Sequence, residues 1–155
     1  MAPRVEQEIL IDAPVDVVWR AVTEPEQVSR WFSDEVDLEA EPGYEGVLTF
    51  NDQATKQSQS VHVTVQSVEP ERSFSYRWQH PPGAEAGEGN SLLVEFTLTP
   101  EGGGTRLRVV ETGQEQMGWS QEQQDTFVRE HNHGWVTYLA HLRDYLGRQR
   151  VDQAQ

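Results

Sequence analysis

Three side chains in the second half of the chain could move protons: Glu111, His131 and Tyr138. His131 is the best general acid–base candidate, because an imidazole can give and take a proton near neutral pH. Each has a plainer structural reading. His131 could be a hydrogen-bonded core histidine, and Tyr138 a ring whose hydroxyl reaches the surface. Glu111 shares strand parity with Leu107 and Val109, so it either points inward or sits at a solvated strand end. Glu95 falls opposite Leu92, Val94, Phe96 and Leu98 and is expected to face outward. His62 alternates with Val61 and Val63 and is also expected outside, while His80 opens a loop and is expected to be exposed. His131 and His133 are the only close histidine pair. Two steps of about 100° on a helix turn them some 200° apart, so they cannot grip one ion. The chain has no cysteine, hence no thiolate nucleophile and no thiolate metal site. It shows no G-x-S-x-G elbow, phosphate-binding loop or dinucleotide fingerprint. Neither a metal nor a cofactor is expected.

Charge narrows the partners. The 155 residues carry a net charge of −14. Nucleic acid binding rests on Lys and Arg neutralising phosphates, and an anionic membrane surface asks for the same, so neither partner is expected. Asp34, Glu35, Asp37, Glu39, Glu41 and Glu45 form an acidic strip that would suit a basic protein surface; the plainer reading is a solvated face. No apolar run is long enough to span a bilayer, and "MAPRVEQEIL" has no signal-peptide core. A cytoplasmic protein is expected.

These residues must be positioned by a small set of elements. Val5, Ile9 and Ile11 share one face of a first strand, which Ala13-Pro14 ends. Val15, Val18, Trp19 and Val22 follow at helical spacing. Thr23 and Glu26 have capping-box spacing, and Pro25 suits a first turn, so a second short helix carries Val28 toward Trp31 and Phe32. Six strands follow: "EVDLE", "VLTF", "SVHVTVQSV", "SFSYRWQ", "SLLVEFTLT" and "TRLRVVET". Their short connections imply antiparallel neighbours. Ser120 and Gln123 repeat the capping-box spacing at the head of a helix over 121–147. Phe127, Val128, His131, Trp135, Tyr138, Leu139, Leu142 and Leu146 form its apolar stripe, and Gly134 admits a bend near "HNHGW". One domain is expected, ordered from about residue 4 to 147, with residues 148–155 frayed.

A sheet with one apolar face needs a cover, and only the terminal helix is long enough to supply it. A twisted antiparallel sheet can curl around that helix, with the two short helices closing one edge. Trp31 and Phe32 then lie at the rim or interior of the curl, as core rings or as cavity lining. The predicted architecture is α+β, of β-α-α-β6-α order.

"EILIDAPVDVVWRAVTEPEQVSRWF", "FSYRW", "TRLRVVETG" and "GWVTYLAHLRDYL", in this order, resemble the START-like (Bet v 1-like, SRPBCC) superfamily. Within it, the chain is most similar to the branch named after the activator of heat-shock-protein-90 ATPase homologues. The resemblance implies a helix-grip fold with a pocket between helix and sheet. The pocket residues it points to are Trp19, Trp31, Phe32, Phe50, Phe74, Tyr76, Trp78, His131, Trp135 and Tyr138. The leading expectation is non-catalytic binding of a small apolar molecule. A cyclase- or dehydratase-type enzyme would use His131, Tyr138 or Glu111 instead. A stress-response module docking on a basic chaperone surface would use the acidic strip.

Overall fold

The computed structural model describes residues 4–154 apart from 53 and 82, with side chains through residue 149. Strand β1 (Val5–Ile11) leads into α1 (Val15–Thr23) and α2 (Pro25–Trp31). Strands β2 (Glu35–Asp37), β3 (Glu45–Asp52), β4 (Gln57–Glu69), β5 (Ser73–Trp78), β6 (Leu92–Glu101) and β7 (Gly104–Thr112) follow. A single 3-10 turn (Gln114–Gln116) precedes α3 (Gln121–Ala154). The order of elements is the one the sequence predicts.

The strands form one seven-stranded sheet ordered β1-β7-β6-β5-β4-β3-β2, antiparallel throughout. Strands β1 and β2 are therefore its two edges, and α1 and α2 carry the chain from one edge to the other. The alternation of side chains puts Val61, Val63 and Val65 of β4 and Phe74, Tyr76 and Trp78 of β5 in the core. Leu92, Val94 and Phe96 of β6 join them, with Leu107 and Val109 of β7. A bulge between Val65 and Ser67 interrupts the β4–β5 register; an extra residue in one strand bends it and increases its twist.

Helix α3 covers the curved face with Val128, Trp135, Leu139, Leu142 and Leu146 buried at helical spacing. Its start is the predicted capping box. The Ser120 N–H donates to Gln123 Oε1 (2.9 Å), and the Gln123 N–H donates to Ser120 Oγ (3.1 Å). The helix is continuous through Gly134 and runs to Ala154, past the Gly147 at which the apolar pattern stops; residue 155 lies outside the described residues. Thr23 does not cap α2. Its hydroxyl donates instead to the Trp19 carbonyl one turn back (2.7 Å), and Glu24 occupies the N-cap position with no side-chain bond. Pro25 opens the helix, where a missing N–H loses no intrahelical bond.

Asn132 fixes how α3 sits on the sheet. Its Oδ1 accepts from the Glu6 N–H and from Gln7 Nε2, each at 3.0 Å, and its Nδ2 donates to the Arg4 carbonyl, also at 3.0 Å. Edge strand β1 thus has an unpaired side partly satisfied by the helix, and the helix is held in rotation beside His131. Among the described residues no helix is long and apolar enough to cross a membrane.

Candidate functional site

Glu111 lies near the end of β7 and is completely buried. It pairs across the sheet with Val94, which pairs with Tyr76, so all three share the inner face. Gly113 ends the strand just beyond it with φ +112°. A Cβ there would come within 3.2 Å of the Ser91 carbonyl oxygen, so both backbone and space favour glycine.

Burying a carboxylate is costly unless its oxygens are hydrogen-bonded. Here three ring nitrogens converge on it. Trp78 Nε1 donates to Oε2 at 2.7 Å. Trp135 Nε1 donates to Oε1 at 3.0 Å. His131 Nδ1 meets the same Oε1 at 2.7 Å. An indole nitrogen can only donate, so both tryptophans require acceptors at Glu111. A carboxylate there accepts from all three. The proton of a neutral His131 then sits on Nδ1, which leaves Nε2 with a lone pair and no hydrogen-bond partner among the described residues.

The same rings line a hollow. Phe32, Phe50, Trp78, His131, Trp135 and Tyr138 surround a cavity of about 280 Å³, completed by Gln59, Val61, Gln79, Glu130 and Gly134. Phe32 is the hub. It stacks on Trp31 (5.2 Å between centroids), Trp135 (5.3 Å) and Trp78 (5.8 Å), and meets Phe50 (5.4 Å) and Tyr138 (4.9 Å) edge to face. A second hollow of about 370 Å³ lies between Trp119, Phe127 and the first turns of α3, sharing Glu130 and His131 with the first. A larger depression of about 500 Å³ opens at the far end of α3, among Asp12, Pro14, Val17, Arg20, Gln27 and Leu146. It contains no buried carboxylate, and its lining is not aromatic.

Of the ten pocket residues the sequence reading names, six line this cavity: Phe32, Phe50, Trp78, His131, Trp135 and Tyr138. Trp31 is packed beneath Phe32, with its Nε1 donating to the Ala21 carbonyl (2.8 Å). Trp19 packs edge-on to Phe74 at 6.3 Å, away from the cavity, and Tyr76 lies in the core between Trp78 and Phe96. Glu111 is inward, the less common of its two readings. His80 is buried rather than exposed. Gln79 takes a left-handed conformation (φ 68°), and the His80 ring folds back onto the sheet, its Nε2 3.1 Å from Thr64 Oγ1.

The buried Tyr76 hydroxyl has no hydrogen-bond partner among the described residues. Burial, and then the Glu111 charge, pushes the phenol well above its ordinary value of 10.0. A buried unpaired hydroxyl costs about 1–3 kcal/mol, so Tyr76→Phe is expected to stabilise the fold by about 1 kcal/mol at pH 7. The raised value also has a sign. Above the ordinary tyrosine range the unfolded chain releases this proton first, so stability falls as pH rises, by up to about 1.4 kcal/mol per pH unit from roughly pH 10. Tyr76→Phe should make that alkaline slope shallower. Urea unfolding of both proteins at pH 7 and pH 11 checks the pair; an unchanged slope would place the alkaline loss elsewhere.

The acidic strip is exposed and partly committed to the fold. Asp34 Oδ2 accepts from the Asn51 N–H (2.6 Å). Asp37 accepts from the Tyr44 hydroxyl, an interaction that pushes the Tyr44 phenol up to about 12.

A curved antiparallel sheet closed around one long terminal helix, with a ring-lined hollow between them, defines the helix-grip class of START-like domains. The family described as Activator of Hsp90 ATPase homolog 1-like protein matches residues 12–147, and the chain belongs to it. Among solved structures, protein MLL2253 from Mesorhizobium loti is 25% identical, with 93% of this chain and 96% of that one covered at a TM-score of 0.73. DynU16, from the dynemicin biosynthetic locus, is 26% identical over 95% of this chain at a TM-score of 0.73, and the match spans 48% of that chain. The Aha1 dimer from Colwellia psychrerythraea shares the fold, at 16% identity, a TM-score of 0.69 and coverage of 93% and 95%. No curated protein matches.

Proposed function

We propose that the chain binds a small, largely apolar molecule between α3 and the sheet and does not transform it. The observation that carries this reading is the cavity of about 280 Å³ walled by aromatic rings, with the imidazole of His131 held at its edge by a buried carboxylate. Ligand pockets are mostly apolar, with a few polar groups that fix orientation, and span roughly 300–1,000 Å³. This one falls just below that range, suited to an occupant of one or two rings.

Gly134 supplies the test. It lines the cavity, and a Cβ built on it meets nothing within 4 Å. Gly134→Leu is therefore expected to fold, to gain roughly 0.5–1 kcal/mol from helix propensity, and to fill the mouth. Quenching of Trp78 and Trp135 fluorescence by a neutral apolar probe such as N-phenyl-1-naphthylamine should saturate in the parent and vanish in the variant. Undiminished binding by a folded Gly134→Leu protein would remove the cavity from consideration.

One observation favours a second reading, an acid–base enzyme of the cyclase or dehydratase type. Glu111 and His131 stand 2.7 Å apart, the arrangement in which a carboxylate orients an imidazole for proton transfer. Turnover lost in His131→Ala while probe binding persists would establish it over simple binding.

A further inference from the structure

We infer that the occupant of this cavity carries a positive charge: a small protonated amine with an apolar ring or chain. This deepens the binding proposal and rests on it. Both hollows beside His131 have only acids as fixed charges. Glu130 borders both of them and Glu122 borders the outer one. Glu111 lies behind the His131, Trp78 and Trp135 rings. Asp34 is close enough to Tyr138 to act on its hydroxyl. Among the described residues that line either hollow, none is Lys or Arg. An anionic ligand would meet repulsion from several sides and no Lys or Arg counter-charge.

Two further features suit an ammonium group. Aromatic rings attract cations through their quadrupoles, most strongly where water is displaced, and four of them gather here on Phe32. In addition, His131 spends Nδ1 on Glu111. A neutral ring so held offers Nε2 as an acceptor, which matches the N–H of a protonated amine. The Gln59 and Gln79 carbonyls can add acceptors at the rim.

The test uses three small molecules of nearly one shape: 2-phenylethylamine, 2-phenylethanol and phenylacetate. Their affinities are measured at pH 7 by tryptophan quenching at low and at physiological salt, with N-phenyl-1-naphthylamine as the neutral reference. The amine is expected to bind at least about tenfold more tightly than the alcohol, and the carboxylate most weakly. Glu130→Gln should narrow the amine-to-alcohol ratio about threefold at low salt and less at physiological salt, where exposed charges are screened. An alcohol that binds as well as the amine overturns the charge inference and leaves the apolar cavity standing. So does a carboxylate that binds best, or binding of the naphthylamine alone. If none of the four compounds binds, the charge inference and the binding proposal fall together.

Discussion

Glu111→Ala is expected to cost about 3–5 kcal/mol, the range seen when one partner of a buried ion pair or hydrogen-bonded cluster is removed. The substitution deletes the only acceptor that two indole N–H groups have among the described residues, and the anchor of one imidazole nitrogen. Trp78 and Trp135 are both nearly inaccessible to water, so solvent cannot replace what the carboxylate supplied. Glu111→Gln is the informative companion. It keeps one carbonyl oxygen for an indole but turns an NH₂ toward a donor, so its cost should be smaller, about 1–3 kcal/mol for an unsatisfied buried group. Urea unfolding followed by far-ultraviolet circular dichroism measures both. A double-mutant cycle with His131→Phe should show coupling of about 1 kcal/mol or more, since the two side chains touch. An alanine variant as stable as the parent would mean that the three nitrogens find other partners, and the site as described would not exist.

The scaffold was legible because its signals are local and repeated. Val61, Val63 and Val65, then Phe74, Tyr76 and Trp78, alternate without ambiguity, and Ser120 with Gln123 marks the start of α3 by a geometry that spans a single turn. The site was legible only in part. Parity places Glu111 on the inner face, but a carboxylate goes there only when donors await it. Those donors come from β5 and α3, and the hydrophobic pattern that marks Trp78 and Trp135 as core residues is blind to their N–H groups. Asn132 has the same character: it belongs to a helix by local pattern, yet its amide is committed to the edge strand at Arg4, Glu6 and Gln7. Loop position alone suggests exposure for His80, but the left-handed turn at Gln79 returns the ring to Thr64. Thr23 illustrates competition between two local bonds, a cap to the next helix and a back-bond to Trp19, with nothing in the spacing to decide between them.

Trp135→Ala tests the junction of helix, sheet and cavity at once. The ring is 2% exposed. It stacks on Phe32 at 5.3 Å and on Trp78 at 6.0 Å, and meets Phe96 edge to face at 5.7 Å. Its N–H holds Glu111. Truncating a buried tryptophan to alanine costs about 3–5 kcal/mol, part of it lost transfer energy and part the void left behind. For a chain of this size that is a fall in Tm of about 10 °C. Trp135→Phe separates the two contributions. It keeps most of the ring and loses the donor, so it should cost less, with the remainder reporting on Glu111. The truncation also joins the space of the missing indole to the existing hollow, whose wall it formed. If the folded fraction of Trp135→Ala takes up naphthylamine more tightly than the parent, the ring limits the size of the cavity. A variant that melts with the parent would instead show that α3 does not present this face to the sheet. The rotation set by Asn132 would then be wrong, and with it the convergence of His131 and Trp135 on one carboxylate.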